Sequence, residues 1–214
     1  MKYIVFAIVI LSLSCKKQSE VVVNYPQRLY VTEISSKQNV RLFTNKSEIK
    51  SSSVINSFIG DNSNFQIIAA NQITPNTDYI DFLSSDTAMF STSDYVKYDV
   101  TKSGDQFILK SQIGFPYSDN VMRNIVRSIM KHPAQEVKGP PGMPTSGFEY
   151  ATSIGYGNYS NFELCWLAYK IVKHPTNGNY LATGMLQNEF NENVISTLGA
   201  TDTLAIQECR LLFK

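Results

Sequence analysis

Residues 97–111 read KYDVTKSGDQFILKS and contain the clearest strand pairing in the chain. The Ser-Gly-Asp triplet at 103–105 is typical of a tight turn, because these residue types tolerate the backbone angles that such turns need. Phe107 and Leu109 alternate with other residues after the turn, which is the two-residue period of a half-buried strand. The segment therefore predicts an antiparallel hairpin over residues 100–110.

Further strands are predicted on both sides of this hairpin, as short runs rich in β-branched and aromatic residues between turn-forming clusters. The run FELCWLAYKIV at 162–172 is apolar at successive positions, which is typical of a strand buried on both faces. In contrast, KGPPGMPTSG at 138–147 predicts a loop or linker, because its prolines and glycines do not suit a helix or an inner strand. The other predicted strands are residues 21–34 with a break at Pro26, then 40–44, 65–73, 79–83, 88–91, 95–100, 180–190 and 204–213.

Two segments follow the helical period instead. Residues 51–60 are predicted to form a short helix, because Ile55, Phe58 and Ile59 share one face and Gly60 provides a stop.

A longer helix is predicted from residue 119 to the region of Pro133, with Ser118 or Asp119 as its cap. Its apolar stripe consists of Val121, Ile125 and Ile129, flanked by Met122, Val126 and Met130.

Many short strands with two helices predict a mainly β (α+β) fold, in which an antiparallel sheet closes into a barrel or stacks as a sandwich. The SGDQFILKS hairpin and the length of the chain resemble those of lipocalins. This resemblance implies a fold and carries no residues of a site with it. After the leader described below, residues 21–214 are expected to form a single β-rich domain.

Composition excludes several classes of function. Nineteen Lys and Arg face eighteen Asp and Glu, so the basic excess that is typical of nucleic-acid-binding proteins is missing. Two His and three Cys, without a CxxC or HExxH pattern, offer little for a metal site. No nucleophile or phosphate-loop motif is present either. The sequence therefore predicts no cofactor, no metal, no catalytic residues and a protein that is not an enzyme.

The first fourteen residues, MKYIVFAIVILSLS, have the pattern of a secretion signal: one Lys and then an apolar run of about ten residues. Such a run is half the roughly twenty residues that a membrane-spanning helix needs. Ser14 precedes Cys15, and two lysines follow. This N-terminus resembles that of Bacteroidota lipoproteins, although Ser12 stands where the usual lipobox has Leu.

The resemblance implies cleavage before Cys15 and attachment of lipid, including palmitate-type acyl chains, to its sulfur and amino group. Residues 15–20 would then be a short lipidated tether, and the protein would be anchored in the bacterial cell envelope, with the outer membrane favoured. Ordinary secretion with a free thiol at Cys15 is the alternative.

Cys165 and Cys209 both lie in predicted strands near the end of the chain, in a compartment that permits disulfides. A disulfide between them is one interpretation, and two small buried side chains are another. A reactive thiol is the third and least favoured, since neither cysteine has an evident base partner in the sequence.

The candidate ligand contacts are Tyr156, Tyr159 and Trp166, in the aromatic-rich stretch around the buried strand. Aromatic side chains line ligand pockets because they combine flat apolar area with a polar edge, although they also fill cores. Arg123 and Arg127, one helical turn apart, are interpreted as part of a solvated polar face, with an anion site as the alternative.

Three functions are compatible with these features. The first is a non-enzymatic, membrane-anchored lipoprotein whose domain binds a small apolar or carbohydrate ligand. The second is an envelope interaction or assembly subunit that docks on a membrane-protein partner through a sheet edge or the helix at 121–130. The third is a hydrolase whose acidic residues converge only in the fold. No nucleic-acid partner is expected in any of them.

Overall fold

Eight antiparallel strands close into a barrel in the computed structural model, which describes residues 23–65, 73–91, 96–118, 120–140, 147–174 and 179–214. The described residues form fourteen strands and two α-helices. These are β1 (Gln27–Lys37), β2 (Arg41–Thr44), β3 (Ser47–Ile49), α1 (Ser52–Ile59), β4 (Tyr79–Phe82), β5 (Thr87–Phe90), β6 (Lys97–Ser103), β7 (Gln106–Ser111), β8 (Phe115–Tyr117), α2 (Val121–Ile129), β9 (Gln135–Lys138), β10 (Gly147–Tyr150), β11 (Thr152–Asn158), β12 (Asn161–Lys173), β13 (Tyr180–Leu186) and β14 (Thr203–Phe213).

The barrel runs β12-β11-β7-β6-β5-β4-β1-β14 and closes by pairing of β14 with β12. This confirms the prediction of a mainly β, lipocalin-like antiparallel fold with two helices. Of the two predicted arrangements, a barrel or a sandwich, the closed sheet is a barrel. The hairpin of β6 and β7 is also confirmed. Ser103 pairs with Gln106, and Gly104 has the positive φ of 62° that its turn requires.

The two longest strands, β12 and β14, extend beyond the barrel. On one side of β12, residues 161–164 pair with β11 and residues 167–173 pair with β13. In the same way, β14 pairs with β1 near its end and with β2 near its start. The strands β13-β12-β14-β2-β3 therefore extend the barrel wall as a sheet. The prediction that 162–172 is buried on both faces is confirmed.

Aromatic side chains fill the barrel. Phe82, Phe107 and Phe162 are completely buried, with ring centroids 5.4 to 5.7 Å apart. Eight strands give an interior just wide enough for side chains to occupy it. Tyr159 packs edge-on against Phe82 and Phe107 at 5.1 and 5.2 Å. This part of the barrel is a packed core.

The two helices cover opposite faces of the extension. Ile125 and Ile129 of α2 pack in one cluster with Leu167 and Tyr169 of β12, whereas α1 packs in another cluster around Ala168. Successive side chains of a strand point to opposite faces of the sheet. Residues of β12 therefore pack against α2 on one face and against α1 on the other.

The ends of the helices agree in part with the predictions. Gly60 ends α1 as expected, but α2 is capped by Asn120, whose side chain accepts a hydrogen bond of 2.8 Å from the amide of Arg123. The predicted cap at Ser118 is therefore wrong, and Asp119 lies outside the described residues. Val121 is 48% exposed, so it does not belong to the buried stripe.

A small three-stranded sheet, β8-β10-β9, was missed by the sequence predictions. Two of its strands lie in or beside the segment predicted as a loop, since Lys138 ends β9 and Gly147 begins β10. Residues 141–146, most of the predicted strand 65–73, the leader and Cys15 lie outside the described residues. The predicted strand 180–190 ends early, at Leu186.

Candidate ligand-binding cavity

A cavity of about 790 Å³ lies between α2, the three-stranded sheet and the adjacent ends of β11 and β13. Its volume is within the range of pockets that bind small molecules. It is distinct from the aromatic core of the barrel, since Phe82, Phe107 and Phe162 do not line it.

The cavity adjoins a break in the strand pairing along β12. β11 leaves β12 after Leu164, and β13 begins to pair only at Leu167. The chain that follows β13 bridges this break, because Gln187 accepts hydrogen bonds from the backbone amide of Ile154 at 2.9 Å and from Ser153 Oγ at 2.6 Å. Trp166, at the break, lines the cavity.

The lining is mostly apolar. Met122 and Val126 contribute from α2, Met130 from the residue that follows it, and Met185 and Leu186 from β13. The two apolar rows of α2 thus face different surroundings. Ile125 and Ile129 pack the helix against the sheet, whereas Met122 and Val126 line the cavity. Methionine side chains are flexible and polarisable, so they adapt to ligands of irregular shape.

Four charged side chains tie α2 to the three-stranded sheet. Arg123 Nε lies 2.9 Å from Glu149 Oε2, and Arg127 Nη1 lies 2.9 Å from Glu149 Oε1. Glu136 also bridges both arginines, with its Oε1 3.0 Å from Arg127 Nε. The hydrogen bond from Arg123, together with both positive charges, lowers the pKa of Glu136. We refer to these four residues as the charge clamp.

The charge clamp corrects the interpretation of Arg123 and Arg127 as a solvated face. Their side chains are only 11% and 21% exposed, and the guanidinium carbon of Arg123 lies 3.6 Å from the centre of the Tyr117 ring. Two arginines one turn apart do not repel here, because carboxylates from β9 and β10 lie against both of them.

Trp166, the only tryptophan in the sequence, is a buried residue that borders this cavity and two smaller ones. Trp166 is 9% exposed, and its indole N–H has no hydrogen-bond partner within the described part of the chain. A buried tryptophan usually has such a partner, because an unpaired buried N–H loses its bonds to water.

The structure does not bring the three predicted aromatic residues together. Only Trp166 lines the cavity. The Tyr156 hydroxyl donates to Glu189 at 2.8 Å, and its ring lies beneath Arg210 at 4.3 Å. The Tyr159 hydroxyl donates to the carbonyl of Ser85 at 2.9 Å.

Several polar side chains, Tyr156 among them, contact the carboxylate of Glu189, a residue that the sequence analysis did not identify. Besides the hydrogen bond from Tyr156, Glu189 accepts one of 3.0 Å from Lys131 Nζ. Its Oε2 also lies 3.2 Å from His132 Nε2. Burial opposes ionisation of Glu189, but these three hydrogen bonds outweigh it and lower its pKa.

Cys165 and Cys209 are free, buried thiols in the structure, which agrees with the interpretation of two small buried side chains and not with that of a disulfide. Trp166 is the cross-strand partner of Cys209, and Arg210 is that of Cys165. The cysteines therefore occupy adjacent register positions, whose side chains point to opposite faces of the sheet. Burial raises the pKa of the Cys165 thiol to about 12 and that of Cys209 to about 11.

No cluster of three or more His, Cys, Asp or Glu side chains that could hold a metal ion occurs within the described ranges. His174 Nδ1 lies 2.7 Å from Asn179 Oδ1, whereas His132 Nε2 lies 3.2 Å from Glu189 Oε2. Among the same residues, every helix is too short or too polar to cross a membrane.

Comparisons with protein-family models, curated protein sequences and solved structures find no match to this chain.

Proposed function

We propose that this protein is a membrane-anchored lipoprotein of the bacterial cell envelope, and that its β-rich domain binds a small apolar ligand without catalysing a reaction. The cavity beside Trp166 carries this proposal: it has a volume of about 790 Å³ and a mainly apolar lining. Burying a ligand there would remove apolar surface of both partners from water, which is the main driving force for such binding. The lining favours an apolar ligand over a carbohydrate.

The acidic residues of the charge clamp, of which Glu149 lines the cavity, support binding over hydrolysis. Glu149 lines the cavity but accepts hydrogen bonds from both arginines of the charge clamp. The pKa of Glu136 is lowered, whereas a general acid at neutral pH needs a raised one.

Binding can be tested with the uncharged fluorophore N-phenyl-1-naphthylamine, because its emission increases in apolar surroundings. Ala151 lines the cavity and is half-buried, so Ala151→Phe should obstruct the site and weaken binding about tenfold or more. Ala200→Phe makes the same chemical change at an exposed position away from the cavity and should bind as the wild type does. Absence of binding, or equal binding by both variants, would contradict the proposal.

Anchoring requires a separate test, because Cys15 lies outside the described residues. The Cys15→Ala variant, expressed in its native envelope, should appear in the soluble fraction. Its mass should lack the acyl groups that the wild type carries. Retention of the variant in the membrane would contradict the lipid attachment.

Docking on an envelope protein is a second candidate, and one surface favours it. Phe148 of β10 is 37% exposed and is paired with Val137 of β9, which is 45% exposed. Pro116 of β8 pairs with Phe148 from the other side. Contiguous exposed apolar side chains often mark interaction sites. The apolar stripe of α2 is less suited to docking, since Ile125 and Ile129 are buried against β12.

Crosslinking in intact cells would test this candidate. A photoreactive residue at position 148 should capture a specific envelope protein, whereas one at the exposed position 200, far along the chain from this sheet, should not. Equal patterns at both positions would contradict docking at Phe148.

A further inference from the structure

We propose that the charge clamp makes the cavity select ligands with an uncharged head group, and that Glu149 is the residue that determines this selectivity. The inference rests on the proposed binding function and adds the chemical class of the ligand. It follows from the position of the two arginines in the cavity wall and from the two carboxylates that neutralise them.

The arginines are the first observation. Arg123 and Arg127 both line the cavity, and both side chains are largely shielded from solvent. By themselves, two guanidinium groups in such a wall would attract an anionic ligand, because charges interact more strongly where water is excluded. Arginine also matches the geometry of a carboxylate or a phosphate. The arginines alone would therefore form an anion site, which is the alternative interpretation of the sequence.

The carboxylates are the second observation. Glu149 contacts both guanidinium groups, with Oε2 2.9 Å from Arg123 Nε and Oε1 2.9 Å from Arg127 Nη1. Glu136 also contacts both, and its Oε1 lies 3.0 Å from Arg127 Nε. The two positive and two negative charges leave the charge clamp neutral as a group. Among the described residues, no charged side chain other than Arg123, Arg127 and Glu149 lines the cavity, so a ligand meets no net charge there.

This neutrality disfavours ligands of either sign. A charged head group loses its hydration when it enters a cavity lined by Met122, Val126 and Met185. The charge clamp offers no net charge to compensate for that loss. A carboxylate ligand could gain an arginine only by displacing Glu149, which would leave a partly buried carboxylate without its partners. An alcohol, ester or amide avoids both costs.

The charge clamp acts on a ligand through space, so the selectivity does not require direct contact between them. The Coulomb energy falls only with the inverse of distance, and salt screens it weakly where water is excluded. Removing one charge from the charge clamp should therefore change the preference between charged and uncharged ligands, with a direction that depends on the charge removed.

The test compares three probes with the same twelve-carbon chain: 1-dodecanol, laurate and dodecylammonium. Each displaces N-phenyl-1-naphthylamine at pH 8, where the acid and the amine are both ionised. The wild type should bind dodecanol at least about tenfold more tightly than either ion, because only the ions lose the hydration of a charge.

Variants of opposite charge assign the selectivity to the charge clamp. Glu149→Gln leaves it with one net positive charge, so laurate should gain about tenfold relative to dodecanol, and dodecylammonium should lose. Arg127→Gln leaves one net negative charge and should do the reverse. Glu192→Gln is the matched control, because Glu192 pairs with Arg41 and neither residue lines the cavity. This control should keep the wild-type affinity ratios.

The affinity ratios do not depend on how much of a variant is folded, since partial unfolding weakens the binding of all three probes by the same factor. A further measurement uses only the wild type. Raising the NaCl concentration should leave the ratio of laurate to dodecylammonium affinity nearly unchanged, because a neutral wall has no net charge to screen. A ratio that falls steeply with salt would show a positively charged wall and overturn the inference.

The outcomes separate the two proposals. If none of the three probes binds to the wild type, the proposed binding function fails. If the wild type binds either ion at least as tightly as dodecanol, or if Glu149→Gln and Arg127→Gln keep the wild-type ratios, binding stands and this inference is overturned. A shift in Glu192→Gln equal to that in Glu149→Gln would also overturn it, because the effect would then come from the charge of the whole protein.

Discussion

Arg123 of α2 and Glu149 of β10 are joined by a hydrogen bond of 2.9 Å between Nε and Oε2, and both side chains are largely shielded from solvent. This contact links a helix that is packed on the barrel extension to a sheet of only three short strands. A sheet of this size has little core of its own. We infer that the charge clamp holds it in place as a wall of the cavity.

Glu149→Gln should therefore lower the free energy of unfolding by about 2 kcal/mol, because two charge-assisted hydrogen bonds to arginines are weakened in a partly buried site. Urea unfolding monitored by circular dichroism would measure the loss. Glu192→Gln is the control, since Glu192 pairs with Arg41 but is 58% exposed, and it should cost less than about 1 kcal/mol. Equal losses would contradict the role of the charge clamp.

Gly155 is a position where the barrel has no room for a side chain. A Cβ there would lie 2.2 Å from two ring atoms of Phe162 and 2.9 Å from the carbonyl oxygen of Glu163. Because Phe162 is completely buried, Gly155→Ala should lower the free energy of unfolding by about 2 to 3 kcal/mol.

Two further variants check this explanation. Gly199→Ala, where the nearest atom would be 3.4 Å away, should change the free energy of unfolding by less than about 0.5 kcal/mol. Introducing Gly155→Ala into a Phe162→Leu background should cost less than in the wild type. An undiminished cost there would show that the ring of Phe162 is not the obstacle.

The lowered pKa of Glu189 predicts a specific dependence of stability on pH. A carboxyl group with a lower pKa in the folded state stabilises the fold above its unfolded-state pKa. The stabilisation is lost as the pH falls from about the ordinary value of 4.5 through the lower folded-state pKa. Glu189→Gln should therefore lower the melting temperature at pH 7 and reduce its decline between pH 5 and about pH 3.

Thermal unfolding over this pH range would measure the effect. Asp61→Asn, at an exposed position, controls for the loss of one negative charge. A profile for Glu189→Gln that runs parallel to that of the wild type would contradict the prediction.

The thiols of Cys165 and Cys209 should be unreactive in the folded protein, because both are buried and their pKa values are raised to about 12 and about 11. Only the thiolate reacts. In a Cys15→Ala background, Ellman's reagent should label them slowly in buffer and rapidly in guanidinium chloride. Rapid labelling in buffer, or a mass lower by two hydrogens, would contradict the structure.

The local features of the fold were predictable because they depend on neighbours in the sequence. The hairpin around Gly104 follows from turn residues and a two-residue period, and the helix at Ile125 and Ile129 follows from four-residue spacing. The three-stranded sheet was missed because its strands are short and mostly exposed or half-buried, so they lack the buried alternating positions that mark the other strands. The alternation of Phe148, Glu149 and Tyr150 was the only local sign of it.

The sequence by itself determined most of the barrel strands, the two helices and the antiparallel class, since backbone sterics and hydrophobic periodicity act over a few residues. Only the tertiary structure decided that Glu149 neutralises Arg123, that Cys165 and Cys209 face apart, and that Trp166 lies at the cavity without Tyr156 and Tyr159. These outcomes depend on which distant strands pair and in what register. A shift of one residue exchanges the two faces of a strand, and no short stretch of sequence specifies such pairings.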